Sequence, residues 1–157
     1  MPIIKPISAA MLAVAMAAPW CLPVTHAAEE AEASEQQAGQ QSHRLVIQVN
    51  SDSMDAQDHV LSNIVNLQKH YGLDNIEIEV VAYGPGIWLV TDKSNFAGRV
   101  ESLMMQNVVF TACGNTMDTV EVKSGVRPTL LDGVETTKAG IARIIELQEQ
   151  GWSYLSP

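Results

Sequence analysis

The chain has 157 residues, room for about one domain, and sets 9 Lys and Arg against 18 Asp and Glu for a net charge of −9. That balance argues against nucleic acid and anionic membrane surfaces as partners. A hydrophobic fraction of 46% is enough for one packed core, once the apolar N-terminus is set aside.

Residues 1–27 read as an export signal. Lys5 supplies the positive end, Ile7 to Ala18 is a small-residue apolar run, and Thr25-His26-Ala27 offers a cleavage site near Ala27. The run breaks at Pro19 and falls short of the roughly 20 residues of a spanning helix, so the expectation is export to the periplasm without stable membrane insertion. Ala18-Pro19-Trp20 is a poor match to the Leu-(Ala/Ser)-(Gly/Ala) that precedes a lipidated cysteine. Cys21 therefore leaves with the signal, and Cys113 remains alone. Residues 28–43 are rich in Glu, Gln, Ala and Ser and poor in large apolar side chains, which predicts a disordered acidic tether. The domain proper is expected over residues 44–157.

Arg44 to Asn50 is a nearly continuous apolar run with β-branched residues, the pattern of a strand covered on both faces. After the loop Ser51-Asp52-Ser53, Asp55 or a neighbour is expected to cap a helix to about Tyr71, with Val60, Leu61, Ile64, Val65 and Leu67 at helical spacing and Gly72 as its stop. Ile76 to Ala82 is a second strand, closed by the turn Tyr83-Gly84-Pro85-Gly86. Ile87 to Val90 fits a helical turn or a short strand equally well. Ser94 to Gln106 reads as a helix through Phe96, Val100, Leu103 and Met104, and a third strand runs from Asn107 to Cys113. Asn115 to Thr119 predicts a short helix, Val120 to Lys123 an extended segment, and Gly125 to Pro128 a turn. Leu130 to Gln150 carries the longest helical pattern, weakened in its middle by Gly140. Trp152 to Leu155 is a last strand.

Strands alternating with helices predict a three-layer α/β/α domain on a mostly parallel sheet of about five strands. In such sheets ligands occupy the crevice beyond the carboxyl ends of the strands. Three loops reach that rim, residues 50–53, 83–86 and 113–116. They bring Asp52, the backbone of Gly84 and Gly86, and a thiol to one edge.

An isolated cysteine after a buried strand is more often a small hydrophobe than a nucleophile. Cys113, however, sits where a strand turns into a helix. There the free N–H groups of Gly114, Asn115 and Thr116, the positive helix end, and the Asn115 and Thr116 side chains can hold a thiolate. A single cysteine in an exported chain is buried and inert, paired between chains, or kept reactive. His59 and His70 on the first helix and His43 at the tether read as surface residues rather than bases for it. One cysteine with scattered histidines supplies no metal site. A phosphate loop and a dinucleotide fingerprint are both missing, so no cofactor is expected. Ser51 and Ser53 beside Asp52 have no histidine placed to activate them as a hydrolase.

Four segments carry a resemblance: the first strand with its Asn50 to Asp52 loop, Val80-Val81-Ala82-Tyr83-Gly84-Pro85-Gly86, Phe110-Thr111-Ala112-Cys113-Gly114-Asn115-Thr116, and the ending from Gly133-Val134 through Ala139-Gly140-Ile141 and Leu147-Gln148 to Gly151-Trp152-Ser153-Tyr154. In this order, over Arg44 to Pro157, the chain resembles the DsrE/DsrF-like family of YchN-related sulfur-relay proteins. The resemblance implies a flavodoxin-like or Rossmann-like domain that assembles into homo-oligomers, trimers or hexamers, with sites near subunit contacts. It also implies that Cys113 matches the cysteine on which relay members carry a sulfane sulfur as a persulfide, received from and passed to a protein or small thiol. Those members work in the cytoplasm, so their donors and acceptors do not transfer to an exported chain. The expected function is a thiol-based sulfur carrier. The alternative is a non-catalytic small-ligand-binding or assembly protein in which Cys113 is packed and Trp88, Trp152, Tyr83 and Met104-Met105 form an apolar wall or subunit interface.

Overall fold

A computed structural model describes residues 43–157; the expected signal and all but the last residue of the tether lie outside the described residues. The domain is a five-stranded, wholly parallel sheet in the order β4-β3-β2-β1-β5. Its strands are β1 (His43–Val49), β2 (Ile76–Ala82), β3 (Val108–Cys113), β4 (Glu135–Thr137) and β5 (Ser153–Leu155). Four helices connect them: α1 (Met54–Tyr71), α2 (Ala97–Met104), α3 (Gly114–Ser124) and α4 (Gly140–Glu149), with a 3₁₀ helix at Gly84–Val90. His43, read from sequence as the end of the tether, pairs with Ile76 as the first residue of β1.

Alternation along the strands divides the core. Ile47 and Val49 of β1, Ile78, Val80 and Ala82 of β2, and Val108, Phe110 and Ala112 of β3 face one side, where they pack with Val60, Leu61 and Ile64 of α1, Val100 and Leu103 of α2, and the 3₁₀ helix. Val46 and Val81 face the other side, against Ile144 and Leu147 of α4 with Tyr83 and Trp152. Residues of both parities are therefore buried, as the unbroken apolar runs require. The expected three-layer architecture is present.

Several local expectations change. Ser53 caps α1, its hydroxyl accepting from the Ala56 N–H, while Asp55 lies in the first turn. Val120 to Lys123 is helical, not extended: α3 runs to Ser124 and ends on Gly125 in the left-handed conformation (φ 76°), whose N–H donates to the Glu121 carbonyl. The β-branched Val120 and Val122 suggested a strand, but β4 occupies the outer side of β3. The segment from Leu130 is likewise not one helix. Residues 135–137 form β4, and Gly140 begins α4 rather than weakening its middle. Ile87 to Val90 completes the 3₁₀ helix.

Candidate functional site

β3 ends at Cys113 and α3 begins at the next residue, so no loop separates strand from helix. The sulfur shares the sheet face of Thr111, two residues earlier, and meets the start of α4: the Gly140 N–H donates to Sγ at 3.2 Å. Two helices thus begin at one thiol. Each brings unpaired amide hydrogens and the positive end of its dipole.

Thr116, in the first turn of α3, completes the arrangement. The Gly84 N–H donates to Thr116 Oγ1 at 3.0 Å, which leaves the hydroxyl hydrogen for the sulfur. Burial raises the Cys113 pKa. The Thr116 hydroxyl and the backbone N–H groups of Gly140, Thr116 and Asn115 lower it by more, so the thiol lies below its ordinary value. The residue is 6% exposed, buried but in polar company. Asn115 N–H also donates to the Lys138 carbonyl at 3.0 Å, which ties the start of α3 to the approach to α4.

In front of Thr116 lies an open cleft of about 340 Å³, lined by Asp52, Gly84, Pro85, Trp88, Thr116, Thr119, Val120 and Lys123. Cys113 is not in its wall; Thr116 stands between. The cleft adjoins a second of about 420 Å³ that shares Trp88 and Val120 and continues to Lys93 and Arg127. By contrast, the crevice between β1 and β5, where the strand order turns back and ligands commonly sit, has a volume of only about 10 Å³. Gln48 fills that end by bonding Ser156 Oγ at 2.8 Å and accepting from the Tyr83 hydroxyl at 2.9 Å.

Of the residues singled out from sequence, Asp52, Gly84 and Thr116 meet at the cleft, and Gly84 and Thr116 also link it to the thiol. Gly114 serves close packing, since a Cβ there would lie 3.1 Å from the Thr137 carbonyl oxygen. The Asn115 side chain is at the surface. Gly86 stands apart: it is buried under the turn, where a Cβ would lie 2.2 Å from the Val49 carbonyl oxygen, and its N–H donates to Tyr83. Its role is steric. Sequence reasoning missed Gly140 as a donor to the sulfur. The signal was Thr136-Thr137, two β-branched residues that favour a strand and should have moved the helix start beyond them.

His43 and His70 lie at the opposite end of the sheet from the thiol. Both contact the Tyr71 ring, at 4.0 and 4.6 Å between centroids, where β1 begins. Ser51 and Ser53 are engaged at the start of α1, Ser51 Oγ accepting from the Ser53 N–H. Among the described residues no group of three or more His, Cys, Asp and Glu is arranged to hold a metal ion, and no helix is long and apolar enough to cross a membrane.

Comparison with known proteins bears on the whole domain. The model of the DsrE/DsrF-like family matches residues 43–157. The solved structure of MTH1491 from Methanobacterium thermoautotrophicum, titled a protein of unknown function, is 32% identical with a TM-score of 0.66, and the match covers 73% of this chain and 99% of that one. YchN from E. coli is similar in fold at 16% identity and a TM-score of 0.60, covering 73% of this chain and 99% of its own. BT1422 from Bacteroides thetaiotaomicron, also titled as of unknown function, is similar at 15% and 0.54, over 73% and 94%. No individually curated protein matches the chain. With the family pattern spanning every strand and helix described above, and a structure of the same fold 32% identical across the domain, the chain belongs to the DsrE/DsrF-like family, whose members are generally related to sulfur relay.

Proposed function

We propose that the protein is a periplasmic thiol-based sulfur carrier in which Cys113 accepts a sulfane sulfur as a persulfide and passes it on. One observation supports this above the others: the one cysteine among the described residues accepts a hydrogen bond from the start of α4 and stands at the start of α3, where Thr116, which favours its thiolate, also faces a cleft. Amide and hydroxyl donors favour the thiolate, which is the attacking form.

The transfer is redox-neutral. The Cys113 thiolate attacks the terminal sulfur of a persulfide R–S–SH; its electron pair forms the new S–S bond, and the old bond's pair leaves with R–S⁻. Cys113 then holds S–SH. An acceptor thiolate attacks that outer sulfur, and Cys113 departs as thiolate to the same four donors. The added atom extends the side chain by about 2 Å. No metal or cofactor is needed.

On this reading the chain is exported, and it works as a homo-oligomer, trimer or hexamer. Export motivates the shielding of the thiol, because an exposed one would oxidise outside the cytoplasm. The exposed Ile141 and Ile145 of α4 and Tyr154 of β5 support assembly.

The burial of Cys113 favours a second reading, a ligand-binding protein whose cleft functions without the sulfur. Mass measurement after incubation with polysulfide separates the two. Gain of one sulfur atom by wild type and none by Cys113→Ser is the expected result. A wild-type thiol that takes no sulfur and resists alkylation favours the binding protein.

A further inference from the structure

Beneath α4 lies a buried carboxylate, paired with a half-buried arginine, that the carrier chemistry above does not use. Glu79 of β2 is 2% exposed and faces α4, next but one to Val81. Arg143, in the first turn of α4, grips it with two hydrogen bonds, Nε to Oε1 at 2.9 Å and Nη2 to Oε2 at 2.7 Å. The Thr111 hydroxyl donates to Glu79 Oε1 at 2.8 Å. Every partner is placed to fix one thing. Arg143 follows Gly140 by three residues and donates its own N–H to Ala139 at 3.1 Å, while Thr111 precedes Cys113 by two on the same strand face.

We propose that Glu79, Arg143 and Thr111 form a clamp that holds the N-terminus of α4 on the Cys113 sulfur and thereby sets the reactivity of the thiol. The pair stabilises little compared with apolar packing, because the Glu79 carboxylate is desolvated while Arg143, one-third exposed, keeps part of its water. What a bidentate guanidinium adds is geometry: it fixes angle as well as distance. The other ties at the helix start are made by backbone, the Thr137 pairing with Cys113 and the Lys138 carbonyl accepting from Asn115, and none of them sets the tilt of α4 itself. Ala139 provides no side-chain cap, and Gly140 has no side chain with which to pack. Gly140 must also approach closely, since a Cβ would lie 3.2 Å from both Cys113 Cβ and Val81 Cγ1. The three clamp residues are positioning residues acting through Gly140. Other charged groups nearby act elsewhere: Glu146 on α4 and Glu135 on β4 bear on Arg143, Lys138 meets Asn115 through its carbonyl, and the forces on the sulfur are burial and hydrogen bonds.

The inference rests on Cys113 being the working thiol, but its test does not require sulfur transfer. The Cys113 thiolate is titrated by its ultraviolet absorbance in the purified protein, with Cys113→Ser as the blank. Glu79→Gln is expected to raise the titration midpoint by about one pH unit, leaving about tenfold less thiolate at neutral pH. Thr111→Val, which removes one hydrogen bond and no charge, should give a smaller rise and keeps the test open if Glu79→Gln does not fold. Arg143→Lys should lie nearer wild type than Arg143→Ala. Variants that lose thermal stability while the midpoint stays at the wild-type value overturn the clamp and leave the carrier intact. A wild-type protein that takes no sulfur from polysulfide, while the variants still move the midpoint, overturns the carrier and leaves the clamp.

Discussion

Cys113 illustrates how far one residue's chemistry is set by partners distant in sequence. Its pKa is lowered although its burial alone would raise it, because one hydroxyl and three amides outweigh desolvation. Two expectations follow. Thr116→Val keeps the shape of the side chain and removes the hydroxyl nearest both sulfur and cleft. Alkylation of Cys113 at neutral pH should slow by about threefold to tenfold, with the rate at high pH unchanged; equal rates at every pH would show that the hydroxyl does not act on the sulfur. The second concerns stability. A thiol whose folded pKa is depressed contributes nothing below that folded value. It contributes progressively as pH rises toward the unfolded value and fully above it. The melting-temperature difference between wild type and Cys113→Ser should therefore move in favour of wild type from neutral pH to about pH 9. A flat difference would mean that folding does not perturb the thiol. Sequence alone located the cysteine, Thr116 and the strand-to-helix junction, since these are local. Gly140 lies 27 residues beyond Cys113, and nothing in the local pattern announces that the two meet.

Between residue and fold, the elements show which sequence signals were strong. β1, α1, β2 and β3 were readable because long apolar runs and a clear helical period leave few alternatives. The segment from Asn115 to Gln150 was not. α3 buries little beyond Met117 and exposes Val122 at 87%, so it lacks the apolar stripe that marks a helix. It is held by its ends and by Arg127, which reaches Asp118 and Glu121. β4 has three polar-rich residues and exists because the open side of β3 needed a partner. The Gly-Pro-Gly turn makes the same point more sharply. From sequence its two glycines looked equivalent, yet Gly84 has φ 53° with open space at its Cβ position, whereas the Cβ position of Gly86 is blocked by the end of β1. Gly84→Ala should cost about 1 kcal/mol, the penalty of a left-handed residue, and leave the fold intact. Gly86→Ala should cost on the order of 3 kcal/mol, since backbone must move. Chemical denaturation measures both, and equal losses would contradict the steric assignment of Gly86.

The assembled domain is lopsided. α1, α2, α3 through Met117, and the 3₁₀ helix share one sheet face, but α4 covers the other nearly alone, its inner side formed by Gly140, Ile144 and Leu147. Its outer side presents Ile141 and Ile145 one turn apart, half exposed at 50% and 49%, with Tyr154 of β5 exposed at 43%. A helix apolar on both sides is usually buried on both, and in the proposed homo-oligomer a second copy of the chain supplies the cover. Burying two isoleucines on each side of such a contact is worth several kcal/mol, so charges placed there should dissociate the assembly rather than unfold the subunit. The double substitution Ile141→Asp with Ile145→Asp is expected to convert an oligomer to a monomer in light scattering, with helix content retained. An unchanged mass would place the contact on another face, and a monomeric wild type would remove the oligomer from the proposed function. The position of this helix gives the measurement a second use. α4 supplies the amide that reaches the sulfur, so if pressure from a neighbouring copy helps seat its N-terminus, the monomeric variant will show a higher Cys113 midpoint than wild type. If the clamp of Glu79 and Arg143 is sufficient within one chain, the midpoint will not move when the assembly falls apart.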